Sequence, residues 1–190
     1  MLSLTQAYTI FPSGGRLVRA SFHQSFVHNG ARTELAQAQA ERVADAGAAF
    51  VVTGMLGDVL RPQGTAPQFR QAAGLNDAAL AAKTGTGMVA DLTFVVFTPR
   101  LVVGVWCGLP QNEIKLKLED GFTGGRVAAP VAAAFMRSVR RHRAELLAGE
   151  FARPANVTKI RINSQKNCAG ANGDREEYFV NGREPSPCSR

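Results

Sequence analysis

The chain has 190 residues, a formal net charge of +7 and a pI near 9.9. Hydrophobic residues at 45% and charged residues at 19% are ordinary for a globular protein, so the composition excludes global disorder and a multi-span membrane protein. The length suits one sizeable core and a short appendage.

The positive charge would suit an anionic partner such as nucleic acid, anionic lipid or an acidic polymer. Four arginines cluster on one predicted helix without aromatic residues between them: Arg137, Arg140, Arg141 and Arg143. Such a cluster is typical of a solvated helix face, so we expect no nucleic-acid partner and keep a basic nucleic-acid-binding protein as an alternative.

The first third of the chain contains helix and turn signals. Residues Leu4 to Phe11 predict a short helix that ends at a Pro-Ser-Gly-Gly breaker. Leu17 to Ser25, followed by Asn29-Gly30, predict an extended segment and a hairpin turn. Residues Glu34 to Leu60 predict a helix interrupted near Asp45, with a core-facing set that recurs at helical spacing: Ala49, Val52, Leu56 and Val59.

Three predicted strands follow a loop-like stretch from Arg61 to Asp77. They span Ala79 to Met88, Leu92 to Phe97 and Leu101 to Cys107, and Thr98-Pro99-Arg100 joins the last two into a hairpin. Both hairpin strands are almost continuously apolar, which indicates strands buried on both sides. The expected fold class is therefore α/β (α+β), an antiparallel sheet covered by helices on each face.

The rest of the chain contains one strong helix signal and a polar tail. After an irregular stretch from Leu109 to Gly125, residues Val127 to Ala148 predict a helix that packs on the hairpin. Its apolar residues lie four apart: Val127, Val131, Phe135 and Val139. Residues 151–190 are polar and predict an extension with one strand or hairpin around Val157 to Ile162, without a core of its own.

The three cysteines allow one disulfide. Cys107 lies in a strand and is expected to behave as a small buried hydrophobe. Cys168 and Cys188 lie in the polar tail, where a bridge would fasten a segment with little core and would indicate an oxidising compartment. Spacing alone cannot establish the pairing, so two free surface thiols remain the alternative.

The segment Lys83-Thr84-Gly85-Thr86 is the candidate binding site. A lysine on a strand edge places a cation beside a peptide carboxylate, and the Thr84 and Thr86 hydroxyls can donate to the same oxygens. Gly85 lacks a side chain, so an extended peptide can approach the strand closely and add to the sheet edge. We call these four residues the clamp.

Nearly the whole sequence resembles class A penicillin-binding proteins of the serine β-lactamase and D,D-peptidase superfamily. The similarity includes the Lys-Thr-Gly triplet of that superfamily and continues into the tail. The matching segments are Gln6-Ala7-Tyr8, Gly64-Thr65-Ala66, Lys83 to Thr86, Asp91, Phe94, Thr98-Pro99, Leu101 to Trp106, Gly124 to Pro130, and Cys168, Arg175 to Glu177, Phe179, Gly182 to Pro185 and Cys188.

The resemblance implies a peptidoglycan D,D-transpeptidase that binds penicillin and the D-Ala-D-Ala stem peptide and works without cofactor. Lys83 and Thr86 would orient the carboxylate, and the Thr86 N–H would be one of two oxyanion-hole donors. It further implies a transpeptidase portion over residues 1–150, an extension over 151–190, and the extracytoplasmic face of the membrane.

The sequence offers no candidate for the catalytic serine that the resemblance implies, because no serine of the chain begins a Ser-x-x-Lys or Ser-x-Asn motif. In the family both motifs precede the clamp, so we expect an N-terminally truncated domain that has lost its signal and membrane anchor. We therefore name no catalytic residue in the chain and predict that it is inactive alone. A non-catalytic module that docks on cell-wall peptide or on a partner protein is the second alternative.

Other residues near the clamp depart from the family pattern. Ala82 replaces a frequent glycine, Gly87 follows Thr86, and Thr93 replaces a frequent tryptophan. Asp91 is expected to be structural. The three histidines lack metal-ligand spacing, so no metal site is proposed: His23, His28 and His142.

Overall fold

The computed structural model describes residues 1–35, 39–87, 91–108, 121–170 and 172–189. The chain begins with helix α1 (Leu2–Tyr8), which confirms the predicted N-terminal helix apart from its bounds. Strand β1 (Arg16–Leu17) pairs antiparallel with β4 (Glu41–Arg42), and the hairpin β2 (Ser25–His28) with β3 (Ala31–Glu34) lies between them.

Helix α2 (Ala46–Gly57) begins at Asp45, whose carboxylate accepts a hydrogen bond from the Ala48 N–H. The predicted helix from Glu34 is wrong over its first part, because Glu41–Arg42 forms strand β4 instead; residues 36–38 lie outside the described part. The core face was also wrong in part, since Val52 is exposed and Thr53 is buried. A tertiary pairing with β1 thus overrides the helix propensity of the alanine-rich segment.

Helix α3 (Phe69–Ala73) lies within the stretch predicted to be a loop. Its Phe69 and Ala73 side chains are buried, and it ends at Gly74, whose left-handed backbone (φ +67°) suits glycine. The prediction was wrong here because five residues give too little periodicity to outweigh the neighbouring Pro and Gly signals.

The central sheet has three antiparallel strands in the order β5-β6-β7: β5 (Ala81–Thr86), β6 (Asp91–Phe97) and β7 (Val102–Gly108). The Thr98 hydroxyl accepts the Arg100 and Leu101 N–H groups, which confirms the predicted hairpin turn. Strand β6 is buried on both sides as predicted. Strand β7 is not, because in the described part of the chain it pairs only with β6, and its side chains are half-buried or exposed. Met88, the predicted end of β5, lies outside the described residues.

Helix α4 (Gly124–His142) packs on the β6-β7 hairpin, as predicted, and also on β5, and a 3-10 turn over Ala144–Leu147 follows it. The predicted stretch from Leu109 to Gly125 lies largely outside the described residues. The predicted core face of α4 was wrong in part, since Val139 is buried but Val131 and Phe135 are each 52% exposed. The buried face consists mainly of alanines, which let the helix approach the sheet closely: Ala128, Ala129, Ala132, Ala133, Met136 and Val139.

The opposite face of the sheet is covered near Phe97 by the N-terminal segment. The Phe97 ring contacts Tyr8 and Phe11, with ring centroids 6.4 and 5.9 Å apart. A Cβ on Gly104 of β7 would lie 2.0 Å from Thr5 Oγ1, so glycine permits the close approach of α1. Helices thus lie on both faces, which confirms the predicted fold class.

The polar tail forms its own small sheet in the order β10-β8-β9, from β8 (Val157–Asn163), β9 (Cys168–Ala169) and β10 (Arg175–Val180). The predicted strand is confirmed and has two further partners. A Cys168–Cys188 disulfide fastens the end of the chain, which resolves the alternative of two free thiols. Cys107 is free and half-buried against the core.

Candidate functional site

The clamp residues end strand β5, whose only strand neighbour among the described residues is β6. The free edge of β5 therefore offers unpaired backbone groups to an extended peptide. Strand alternation directs Lys83 and Gly85 to one face and Thr84 and Thr86 to the other. Lys83 and Thr86 are exposed, whereas Thr84 is buried.

The Thr86 hydroxyl lies against the start of helix α4. The Gly124 N–H donates to Thr86 Oγ1 at 3.2 Å, and this bond leaves the hydroxyl proton free to donate to a ligand oxygen. The 19-residue helix also directs its positive dipole end towards this point. Both effects favour an anion beside Thr86.

A glycine at position 124 is what allows this approach. A Cβ there would lie 2.2 Å from the Thr93 carbonyl oxygen and 2.4 Å from the Gly85 carbonyl oxygen. The helix is capped by Thr123, whose hydroxyl accepts the Arg126 N–H at 3.2 Å. The Thr123-Gly124 pair therefore places the first turn of α4 in contact with the end of the clamp.

The buried Thr84 hydroxyl pairs with a residue that the sequence reasoning did not select. Thr84 Oγ1 lies 2.7 Å from Thr65 Oγ1, and either hydroxyl can be the donor. Thr65 is held by a tight loop, since a Cβ on Gly64 would lie 2.2 Å from the Val59 carbonyl oxygen. Only the presence of Thr65 in the family-like Gly-Thr-Ala segment could have pointed to it.

Gly85 is packed against the neighbouring strand. It is in register with Thr93, and a Cβ on Gly85 would lie 2.1 Å from Thr93 Oγ1. Thr93 in turn is in register with Trp106, whose indole N–H donates to the Asp91 carboxylate. Asp91 is thus engaged by a side chain of the sheet, in keeping with its expected structural role.

Lys83 supplies the full positive charge of the clamp. Its ammonium group donates to the Thr84 carbonyl oxygen, which bends the side chain along the strand. Among the described residues, no carboxylate forms an ion pair with Lys83. The cation is therefore available to a ligand anion.

A family model, the penicillin binding protein transpeptidase domain, matches residues 1–137 and so includes the whole clamp. The chain belongs to this family. It is 31% identical over 192 residues to penicillin-binding protein 1A of Aquifex aeolicus, with 97% of this chain and 24% of the relative covered. Penicillin-binding protein 1A of Pseudomonas aeruginosa is 31% identical over 150 residues, with 78% of this chain and 17% of the relative covered.

The fold is also that of the family. Penicillin-binding protein 3 of Mycobacterium tuberculosis, solved in complex with aztreonam, superposes with a TM-score of 0.57 at 26% identity. The alignment covers 78% of this chain and 36% of that one. The chain spans about a quarter or less of the curated relatives it matches, so it corresponds to part of a transpeptidase domain.

None of the described helices is both long and apolar enough to cross a bilayer.

Two arginines of the basic helix cluster form hydrogen bonds within the fold, because Arg137 donates to the Ala72 carbonyl and Arg140 to the Gly74 carbonyl. They hold the end of α3 against α4.

Proposed function

We propose that the clamp is the carboxylate-binding half of a serine D,D-transpeptidase site, which binds the D-Ala-D-Ala end of a peptidoglycan stem peptide and β-lactams in the complete protein. The observation that carries this proposal is the hydrogen bond from the Gly124 N–H to Thr86 Oγ1. It orients an exposed hydroxyl donor at the positive end of α4, on the free edge of a strand that also bears Lys83.

The geometry supports separate roles for the clamp residues. Lys83 leaves β5 on the face opposite to Thr86, but its side chain bends back to the Thr84 carbonyl oxygen. Its ammonium group can therefore attract the terminal carboxylate to which the Thr86 hydroxyl donates. The Thr84 hydroxyl acts as support, because its bond to Thr65 fixes the strand from its buried side. The peptide lies along the β5 edge, where the Thr86 N–H can donate to the carbonyl that is attacked.

The chain itself is proposed to bind without reacting. The sequence contains neither Ser-x-x-Lys nor Ser-x-Asn, so no acyl-enzyme can form within these 190 residues. We assign residues 1–150 to the transpeptidase portion and 151–190 to an extension. The Cys168–Cys188 disulfide supports a site of action on the extracytoplasmic side, since such bonds persist in oxidising compartments.

The internal use of Arg137 and Arg140 supports the proposal over nucleic-acid binding. Both guanidinium groups donate hydrogen bonds to backbone carbonyl groups of the protein, so fewer of their N–H groups remain to bind phosphates. A steep fall of DNA affinity with salt would be the signature of the alternative.

The proposal is tested by NMR titration of the labelled chain with N-acetyl-D-alanyl-D-alanine and with the same peptide ending in an amide. The acid is expected to shift the amide signals of Lys83 to Thr86, and the amide form to bind at least tenfold more weakly. Lys83→Ala should raise the Kd of the acid about tenfold, because a charge-assisted hydrogen bond is lost.

Lys166→Ala is the matched control, since it removes the same charge from an exposed position in the tail. Equal binding of acid and amide, or equal effects of the two lysine variants, would refute the clamp. A fluorescent penicillin is expected to leave the chain unlabelled after denaturation, and a covalent adduct would refute the proposed lack of reaction.

A further inference from the structure

A cavity of about 350 Å³ lies where the tail meets the body of the protein, at the opposite end of β5 from Thr86. Its walls come from α2, from Arg70 on α3, from the residues that lead into β5, from the segment after α4 and from Tyr178 on β10. The clamp residues do not line it. The cavity is therefore a site separate from the proposed transpeptidase half-site.

Aromatic side chains form much of the cavity wall. Phe50 and Tyr178 contact each other edge to face with ring centroids 5.0 Å apart, and Phe151 is fixed by a similar contact with Phe97 at 5.7 Å. Gly54 lets helix α2 lie close to Tyr178, because a Cβ there would already lie 3.3 Å from the Tyr178 ring. Rings held in this way form a preorganised surface for a flat apolar group.

The charged residues on the wall favour an anion. Arg70 and Arg153 are cationic, and Glu150 is the one carboxylate among the lining residues. Arg70 donates through Nη1 to the carbonyl oxygens of Ala78 at 2.8 Å, Leu75 at 3.4 Å and Asn76 at 3.5 Å, and through Nη2 to the Leu80 carbonyl at 3.4 Å. A guanidinium group has five N–H donors, so these bonds leave capacity for a further acceptor.

Arg70 is half-buried, and within the described part of the chain it forms no ion pair with a carboxylate. Burial lowers the pKa of the Arg70 guanidinium, because a desolvated cation without a counter-charge is disfavoured. A bound carboxylate would supply the missing counter-charge, and guanidinium binds carboxylates in a planar, two-pronged geometry.

We propose that this junction cavity binds a small carboxylate with a flat apolar body, the carboxylate directed to Arg70 and Arg153 and the body against Phe50, Phe151 and Tyr178. Because the wall is built from both the body and the tail, the ligand would hold the two together. The cavity volume limits the ligand to the size of a single substituted ring or a short branched acid.

The test is an NMR titration of the full chain with benzoate, benzamide and acetate. Benzoate is expected to shift the Gly54 and Gly57 amide signals, while benzamide, which lacks the charge, and acetate, which lacks the ring, bind at least tenfold more weakly. Equal affinity of benzoate and benzamide would overturn the proposal, because the cations would then play no part.

Arg70 itself is left unchanged in the variants, because it also holds the loop before β5. The contribution of each charge is tested instead with variants of the exposed residues Arg153 and Glu150. Arg153→Gln should weaken benzoate binding about tenfold and Glu150→Gln should strengthen it, whereas Ala79→Leu should block the cavity. Lys83→Ala should leave the affinity unchanged. Loss of binding in Lys83→Ala, or unchanged binding in Arg153→Gln, would place benzoate elsewhere and refute the site.

Discussion

Thr65 and Thr84 are joined by their side-chain hydroxyls at 2.7 Å, across 19 positions of the sequence. Thr65→Val removes the partner and leaves the buried Thr84 hydroxyl unsatisfied, so the free energy of unfolding should fall by about 1–3 kcal/mol. Urea denaturation followed by circular dichroism measures the change. Thr65→Ser keeps the hydroxyl and should stay close to wild type; a loss as large as that of the valine variant would contradict the role of this bond.

The contact between Gly85 and Thr93 predicts a coupled pair of substitutions. Gly85→Ala brings a methyl group to 2.1 Å from Thr93 Oγ1 and should cost about 1–3 kcal/mol of unfolding free energy. Thr93→Ala removes that oxygen, so the double variant should recover part of the loss. A double-mutant cycle in urea measures the coupling, and strictly additive effects would count against the clash.

Phe135 and Met136 are neighbours on α4 with opposite burial, 52% and 0% exposed. Met136→Ala should lower the free energy of unfolding by about 2–5 kcal/mol, because it opens a cavity in the core. Phe135→Ala should change stability by no more than about 0.5 kcal/mol.

The exposed side of the same helix also predicts self-association of the chain. Phe135 and Val131 present apolar surface of the kind that promotes association in water. Phe135→Ser should therefore shift the chain towards monomer in analytical ultracentrifugation. A wild-type chain that is already a monodisperse monomer would contradict this prediction.

The disulfide predicts a redox effect confined to the tail. Cys168 and Cys188 are 20 positions apart, and opening a loop of that length should lower the stability of the tail by about 3 kcal/mol. Hydrogen exchange in β8 and β10 should accelerate after addition of a phosphine reductant, while exchange in β6 stays slow. A variant with both cysteines changed to serine should no longer respond to the reductant; faster exchange in β6 would indicate that the tail supports the whole fold.

The Asp174 carboxylate predicts a pH effect in the tail. Hydrogen bonds from the Ser164 hydroxyl and backbone N–H lower its pKa from the ordinary value of 3.8. A lowered pKa stabilises the fold fully above the unfolded value, and this contribution is lost as the pH falls through the folded value. Ser164→Ala should raise the pKa measured by carboxyl NMR, and an unchanged pKa would contradict the role of the hydroxyl.

Local signals in the sequence predicted the turns well. Asn29 and Gly30 adopt φ values of +49° and +77°, the left-handed conformation that an Asn-Gly hairpin turn requires. The turn at Thr98 was likewise predictable, because a proline follows a strand there. These features depend on neighbours in the chain and can be recognised without the fold.

Features that depend on distant residues were not predictable. Val131 and Phe135 have the right spacing for a core face, yet alanines face the sheet, because only small side chains allow α4 to approach it closely. The Thr65–Thr84 bond and the contact of Gly124 with Thr86 arise only when the loop after α2 and the start of α4 meet at β5. The lysine and threonines of the clamp could be selected as candidates from their motif, but the residues that contact them could not.

The sequence contains one tryptophan, Trp106, and it lies in the row of cross-strand neighbours that leads through Thr93 to Gly85. Its indole is half-exposed and bonded to Asp91, so its emission depends on local polarity at that end of the sheet. The chain thus carries a built-in fluorophore two strands away from the clamp. Peptide titrations can be followed by light emission without attaching a dye.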